Sequence, residues 1–127
     1  SQEIVKNNRA IVLDAYNANP TSMKAALESF DRLPSPKIAL LGDMFELGEF
    51  AAKEHQEMVD TAETLSIDQL YWIGNAFNNT NLPSSKHQSF ENVTLFKEYL
   101  EKKSLPTGKL LIKGSRGMKM ETLLDLL

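Results

Sequence analysis

The stretch Ile-Ala-Leu-Leu-Gly-Asp-Met-Phe-Glu-Leu-Gly, residues 38–48, decides the fold of this protein. It opens with four apolar residues in a row, without alternating polar positions, and glycine and aspartate end the run. Such continuous apolarity is typical of a strand in a parallel sheet that is covered on both faces. Three other runs have the same form: Ala10–Leu13, Leu70–Ile73 and Leu110–Ile112. The four runs predict a mostly parallel sheet.

Helical patterns lie between the predicted strands. Apolar residues recur at helical spacing from Met23 to Leu33, and Asn19-Pro20 supplies an N-cap and a proline at the first helical position. The polar stretch 75–89 is expected to hold a helical turn, a loop and a small strand around His87–Phe90. Further amphipathic patterns share the helical spacing, in residues 47–65, 93–100 and 120–127.

The alternation of strands and helices predicts the fold class. It is typical of right-handed crossovers on an open sheet with helices on both faces. We therefore expect an α/β fold, a Rossmann-like three-layer α/β/α domain with a mostly parallel sheet of about five or six strands. The length of 127 residues is that of one domain, spanning 1–127.

Composition limits the classes of function. The 14 basic and 17 acidic residues give a net charge of -3 without a basic stripe, so we expect no nucleic-acid partner. No apolar run approaches the roughly 18 residues that cross a bilayer, and we expect a cytoplasmic protein without membrane contact. With no cysteine and two histidines, a zinc site is not expected, and a metal would be oxygen-bound Mg²⁺.

Polar and glycine-rich segments follow each of the four apolar runs. In open α/β sheets, ligands bind outside the carboxyl ends of the strands, so these segments form the candidate site. We expect all four to lie along one edge of the sheet. They are Asp14–Pro20, Gly42–Gly48, Gly74-Asn75 and Lys113–Gly117.

The first segment has the residue types of a nucleoside site. Asp14 at a strand end could accept both hydroxyls of a ribose, and Tyr16 could stack on a purine or pack in the core. Asn17 or Asn19 could read a purine edge. For Asn19, helix capping is the favoured alternative, because proline follows it.

The second segment offers Asp43, which could cap the helix that follows or bind a cation or an amine. Glu46 is interpreted as a first-turn charge that complements the helix dipole. His55 is interpreted as a packing histidine within the apolar face of its helix.

Lys113–Gly117 has the composition of an anion site. Its glycines permit tight turns, Ser115 and the backbone amides can donate to an anion, and Lys113 and Arg116 add positive charge. A solvated charged turn is the alternative. The chain has no P-loop motif, because Gly108-Lys109 lacks the upstream glycine and the following hydroxyl, and no dinucleotide fingerprint follows the first strand.

Three of these motifs, in order, carry a resemblance that covers nearly the whole chain. The sequence resembles the C-terminal domain of the Mur ligases, most of all the type that adds D-alanyl-D-alanine to a UDP-N-acetylmuramoyl-tripeptide. The motifs are Asp14–Pro20 with Ser22-Met23, Leu41–Met44 with Glu46–Gly48, and Lys113–Arg116.

The resemblance implies a three-domain, ATP-dependent ligase of peptidoglycan synthesis that forms an amide bond. An N-terminal domain would bind the UDP-sugar peptide, and a central P-loop domain would bind ATP and Mg²⁺. We expect both to lie outside this chain, which would supply no catalytic residue or metal ligand and would be inactive alone. Its role would be to close over the central domain.

The resemblance also implies roles for single residues. Asp14 would bind the ATP ribose, with Tyr16 and Asn17 beside the nucleoside. The turn from Lys113 to Arg116 would face the acceptor end, where Ser115 and Arg116 would hold the carboxylate of D-alanyl-D-alanine or the adjoining peptide. Asp43 would orient its amine.

Two other functions remain open. A receiver-like signalling module also places acids and a lysine at strand ends, as Asp14, Asp43 and Lys113 are placed. It requires an acidic pair after the first strand and a phosphoacceptor after the third, where this chain has Gly74-Asn75. Related ligases that add a single amino acid, or glutamate to folate, share the architecture. The run Tyr16–Asn19 favours the dipeptide-adding type.

Overall fold

The computed structural model describes residues 1–127 and contains one six-stranded sheet. The strands lie in the order β1-β2-β6-β3-β4-β5. Only the β1–β2 pair is antiparallel, and all the other neighbouring strands are parallel. The predicted α/β class and the mostly parallel sheet are therefore confirmed. The strands are β1 Gln2–Lys6, β2 Arg9–Asp14, β3 Lys37–Gly42, β4 Gln69–Ile73, β5 His87–Phe90 and β6 Lys109–Lys113.

Helices cover both faces of the sheet. Helices α1, α2 and α3 pack on one face, and α4 packs on the other together with a C-terminal 3-10 helix. No helix combines the length and the apolar character needed to cross a bilayer. The α-helices are α1 Pro20–Asp31, α2 Ala51–Glu63, α3 Asn75–Asn78 and α4 Val93–Lys102, and the 3-10 helices are Gly48–Phe50, Arg116–Met118 and Met120–Leu126.

The structure corrects two helix predictions. The last amphipathic pattern forms the 3-10 helix Met120–Leu126 instead of an α-helix. Helix α2 begins only at Ala51, after a 3-10 turn, because Glu46 and Gly48 have positive φ angles of 63° and 56°. A left-handed residue cannot continue a right-handed helix. Glu46 therefore precedes the helix whose first turn it was expected to occupy.

Strand β1 is absent from the sequence prediction. Its residues Gln2–Lys6 are mostly exposed, and they lie at the sheet edge, where no apolar run is required. The turn to β2 consists of Asn7 and Asn8, both with positive φ, at 51° and 66°. Two such residues form the kind of turn that joins antiparallel strands, and asparagine tolerates this conformation.

The core consists of two apolar layers, one on each side of the sheet. In β3, Ala39 and Leu41 face the layer under α1 and α2, whereas Ile38 and Leu40 face the layer under α4. All six residues of β3 are buried. This burial on both faces explains why its sequence is continuously apolar.

The strand order brings three chain segments together at the carboxyl edge of the sheet. Strand β6 lies between β2 and β3, and its last residue, Lys113, pairs with Asp14 on one side and Leu41 on the other. The segments that follow these three strands are therefore neighbours, as the sequence predicts.

A buried histidine lies at the opposite end of the sheet from this edge. The indole Nε1–H of Trp72 donates to Nδ1 of His87 over 2.9 Å, so the neutral ring carries its proton on Nε2. Nε2 has no hydrogen-bond partner within the protein and lies 3.5 Å from Oε1 of Glu63. Burial lowers the pKa of His87, and the carboxylates of Glu63 and Asp60 oppose this shift while the Lys86 ammonium adds to it.

This lowered pKa predicts that the protein loses stability in mild acid. The unfolded chain takes up a proton on His87 below a pH of about 6.5, whereas folded His87 resists protonation, which would set two N–H groups against each other at Trp72. The melting temperature should therefore fall between about pH 7.5 and about pH 5.5. His87→Gln should melt lower at neutral pH yet show a smaller fall. Equal falls in the two proteins would refute this account.

Candidate functional site

The ends of β2 and β6 are joined by a partly buried ion pair. Nζ of Lys113 lies 2.9 Å from Oδ2 of Asp14 and 3.0 Å from the carbonyl oxygen of Asn17. Only 1% of the Lys113 side chain is exposed, whereas 29% of the Asp14 side chain is. The expectation that Lys113 faces the acceptor is thus corrected, because its ammonium is directed under the segment that follows β2.

Asp14 borders an open cleft at the carboxyl edge of the sheet. The cleft has a volume of about 400 Å³ and also contains Tyr16, Arg116 and Glu121. Tyr16 is 66% exposed, which excludes the alternative of core packing. The guanidinium carbon of Arg116 lies 4.2 Å from the centre of the Tyr16 ring, at the distance of a cation–π contact. The carboxylate and aromatic ring predicted for the nucleoside therefore line one cleft with the guanidinium predicted for the acceptor.

Glu121 is a cleft residue that the sequence prediction misses. It lies in the first turn of the 3-10 helix Met120–Leu126 and lines the same cleft as Asp14. The pattern of residues 120–127 indicates only an apolar face, and nothing in it connects Glu121 to the end of β2.

Asp14 also borders a second groove, of about 710 Å³, on the α1 side of the sheet. Strand β1 contributes Glu3 to this groove, and helix α1 contributes small residues from Ser22 to Ser29. The Asp14 carboxylate therefore lies on the ridge between two open surfaces.

The hydroxyl of Ser115 is buried and joins three loops. It accepts from the Phe45 amide over 3.0 Å and donates to the Ala18 carbonyl over 3.4 Å. Its own amide donates to the Asp43 carbonyl, and the Gly114 amide donates to that of Asp14. These three donors are engaged within the protein, and an anion site in this turn stays a prediction that depends on Arg116. Arg116 alone among the charged or hydroxyl-bearing residues of this turn is exposed.

Asp43 caps a helix, but a different one from that expected. Its carboxylate accepts from the amides of Ala76 and Phe77, over 2.8 and 2.9 Å, at the start of α3. Helix α2, which follows Asp43 in the chain, has no side-chain cap. Asp43 is 6% exposed, and both carboxylate oxygens have partners, which disfavours a receiver-like phosphoacceptor. Its predicted contact with an amine has no support in these bonds and stays a prediction.

Two neighbours complete the surroundings of Asp43. A Cβ atom on Gly74 would lie 2.3 Å from the Asp43 carboxyl carbon, so only glycine fits there. His55 accepts from the Met44 amide at Nε2 and donates to the Ala51 carbonyl at Nδ1. The ring is therefore neutral and forms no ion pair with Asp43, although Nε2 lies 3.8 Å from Oδ1 of that residue. The interpretation of His55 as a packing histidine is confirmed, because its side chain is fully buried.

The two asparagines of the first segment have different surroundings. Oδ1 of Asn19 accepts from the Ser22 amide over 2.8 Å, and Oγ of Ser22 accepts from the Asn19 amide over 3.0 Å. This reciprocal pair is a capping box and confirms the capping interpretation of Asn19. Asn17 is exposed, and its side chain makes no hydrogen bond within the protein. A nucleoside contact stays a prediction for both residues.

The sequence family described as "Mur ligase, glutamate ligase domain" matches residues 2–116 of the chain. The chain belongs to the Mur ligase family. The match includes every residue predicted for the site, from Asp14 to Arg116.

Two similar Mur ligases have the same name. The UDP-N-acetylmuramoyl-tripeptide–D-alanyl-D-alanine ligase of Buchnera aphidicola subsp. Acyrthosiphon pisum is 34% identical over 124 residues, which are 96% of this chain and 27% of that protein. The Bacillus subtilis ligase of the same name is 35% identical over 132 residues, 94% of this chain and 28% of its own length. The chain thus spans about a quarter of the length of these relatives.

Solved structures of Mur ligases have the same fold. A D-alanyl-D-alanyl ligase from Acinetobacter baumannii matches 98% of this chain and 28% of its own chain with a TM-score of 0.80 and 29% identity. The MurF ligase from Thermotoga maritima, determined in complex with ADP, matches 98% of this chain and 29% of its own with a TM-score of 0.75 and 24% identity.

The two bonds at the start of α3 predict a large stability loss in Asp43→Ala. The substitution leaves two amides of a helix start without partners, which should lower the free energy of unfolding by about 2–3 kcal/mol. Asp43→Asn keeps one acceptor oxygen and should lose about 1 kcal/mol. Denaturant unfolding of both variants measures these losses. An Asp43→Ala protein as stable as the wild type would show that these bonds do not support the loop.

Proposed function

We propose that this chain is the C-terminal domain of an ATP-dependent, amide-forming ligase that adds D-alanyl-D-alanine to UDP-N-acetylmuramoyl-tripeptide in peptidoglycan synthesis. The shared name of the relatives, at 34% and 35% identity over nearly the whole chain, carries the proposal. The cleft with Asp14, Tyr16 and Arg116 supports it independently, because its groups suit a nucleoside and an anion.

The nucleoside side of the cleft fits ATP. Oδ2 of Asp14 is bonded to Lys113, whereas Oδ1 makes no hydrogen bond within the protein and can accept from a ribose hydroxyl. Tyr16 offers an exposed ring for stacking, and Asn17 offers an unbonded amide. ATP would supply the phosphoryl group that activates the peptide carboxylate for attack by the dipeptide amine, with release of ADP and phosphate.

The proposal assigns the phosphate side of the reaction to a part of the enzyme outside residues 1–127. The chain lacks a P-loop motif, and no group of three or more acidic or histidine side chains could hold a metal ion. In this proposal a central domain outside residues 1–127 binds the phosphates and Mg²⁺. Residues 1–127 orient the nucleoside and exclude water when they close over the central domain. Positioning of this kind lowers the barrier to phosphoryl transfer.

Arg116 is the residue of the cleft that is proposed to bind the acceptor. It is the exposed cation of the last predicted segment, and a guanidinium binds a carboxylate with two parallel hydrogen bonds. In the proposed enzyme Arg116 holds the carboxylate of D-alanyl-D-alanine. Ser115 fixes the loop that carries Arg116, through its bonds to the Phe45 amide and the Ala18 carbonyl.

The ligase that contains this chain should separate these roles kinetically. Asp14→Ala removes the ribose acceptor and should raise the KM for ATP by about tenfold, and Arg116→Ala should do the same to the KM for the dipeptide. Lys24 is an exposed lysine of α1, and the control variant Lys24→Ala should change neither KM. Release of phosphate with D-alanyl-D-alanine, compared with single amino acids, measures the activity. Turnover with single amino acids alone would exclude the proposed substrate.

Residues 1–127 alone should have no ligase activity, since they hold only one side of the proposed site. Their affinity for ATP should be weak, with a dissociation constant above about 1 mM, because the phosphates contribute nothing. Isothermal calorimetry with ATP and with ADP checks this expectation. Micromolar binding of ATP by the chain would contradict the division of the site between domains.

A further inference from the structure

The register of the β2–β6 pair explains why Lys113 is buried. Asp14 and Lys113 are direct partners in the parallel β2–β6 pair. Val12 and Leu111, two residues earlier in each strand, pack in the layer under α1, and side chains two residues apart share a face. Asp14 and Lys113 therefore share that face at the end of their strands, where the lysine ammonium is within hydrogen-bond distance of the Asp14 carboxylate.

The ammonium of Lys113 has both of its partners on the segment that carries the proposed nucleoside residues. It binds Oδ2 of Asp14 and the carbonyl oxygen of Asn17, which lie on either side of Tyr16 in the chain. A single buried cation thus fixes the carboxylate and the backbone turn that presents the aromatic ring. Oδ1 of Asp14 makes no hydrogen bond within the protein.

We infer that Lys113 is a positioning residue for ribose recognition, an inference that rests on the proposed function. It holds the Asp14 carboxylate by Oδ2 and leaves Oδ1 to accept from the ribose. A carboxylate held in this way accepts a ribose hydroxyl without first losing its own side-chain freedom. Lys113 therefore controls discrimination between ribose and deoxyribose nucleotides without touching either.

Lys37 provides a matched structural lysine. It is 2% exposed, donates to the Asp31 carbonyl over 2.6 Å and lies 3.7 Å from the Asp31 carboxylate. Its chemistry is that of Lys113, but it lies at the start of β3, at the opposite edge of the sheet from the cleft. Removing Lys37 should cost stability and leave nucleotide discrimination unchanged.

The test compares ATP with 2′-deoxy-ATP and 3′-deoxy-ATP in the full-length ligase. Lys113→Met should raise the KM for ATP about tenfold, leave the KM for dipeptide within about twofold, and reduce the preference for ATP over the deoxy analogues to that of Asp14→Asn. Lys37→Met should keep the wild-type preference. A Lys113→Met enzyme that keeps the wild-type preference overturns the inference.

A neutral double variant covers the case in which Lys113→Met does not fold. Asp14→Asn with Lys113→Met leaves no unpaired charge, and it should discriminate no less than Asp14→Asn alone, because the lysine acts only through the carboxylate. A further loss of discrimination in the double variant would show that Lys113 acts by another route and would overturn the inference.

Hydrogen exchange on the chain itself separates this inference from the proposed function. Lys113→Met should speed exchange of the Gly114 amide, which donates to the Asp14 carbonyl, by about tenfold, whereas Lys37→Met should leave it unchanged. Unchanged protection in Lys113→Met would overturn the positioning role whatever the enzyme does. A wild-type ligase with no dipeptide-dependent phosphate release would instead refute the proposed function.

Discussion

The hydrogen bonds that leave the end of β6 hold the candidate site together. Lys113 binds the segment after β2, and Ser115 binds both that segment and the loop after β3. These loops also contribute Ala18 and Met44 to the core under α1 and α2. A polar network that is fully bonded and shielded from water is rigid, and each donor here has an acceptor on another segment. The cleft residues Asp14, Tyr16 and Arg116 therefore take their positions from groups that do not line the cleft.

Much of the fold could be predicted because burial on both faces leaves a simple signal. The runs at Ile38–Leu41 and Leu110–Ile112 are apolar throughout, and each is a central strand. Strand β1 leaves no such signal, since an edge strand can be polar on both faces. The end of the chain has a pattern that predicts an α-helix where the structure has a 3-10 helix, because so short an apolar pattern does not separate the two.

The sequence predicts where the candidate site lies. It does not separate the side chains that line the cleft from those that hold the loops in place. The rule that ligands bind at strand ends placed Asp14, Asp43 and Lys113 at the same edge, and they do lie there. Whether each side chain faces the cleft depends on strand register, which a single sequence does not contain. Asp43 binds two amides of α3, which lie more than thirty residues away in the chain, and Lys113 binds Asp14 of β2. The binding roles of the exposed residues remain predictions.

The place of β6 also affects how the domain is made. It is the last strand in the chain, yet it alone joins the β1–β2 hairpin to the β3–β4–β5 half of the sheet. Pairing between distant segments is slow because a long loop must close before any bond forms. On the ribosome, which releases the chain from its N-terminus, the two halves cannot join as a sheet until residues 109–113 emerge. Until then β2 and β3 expose unpaired edges, and the nascent domain is most open to misassociation in that interval.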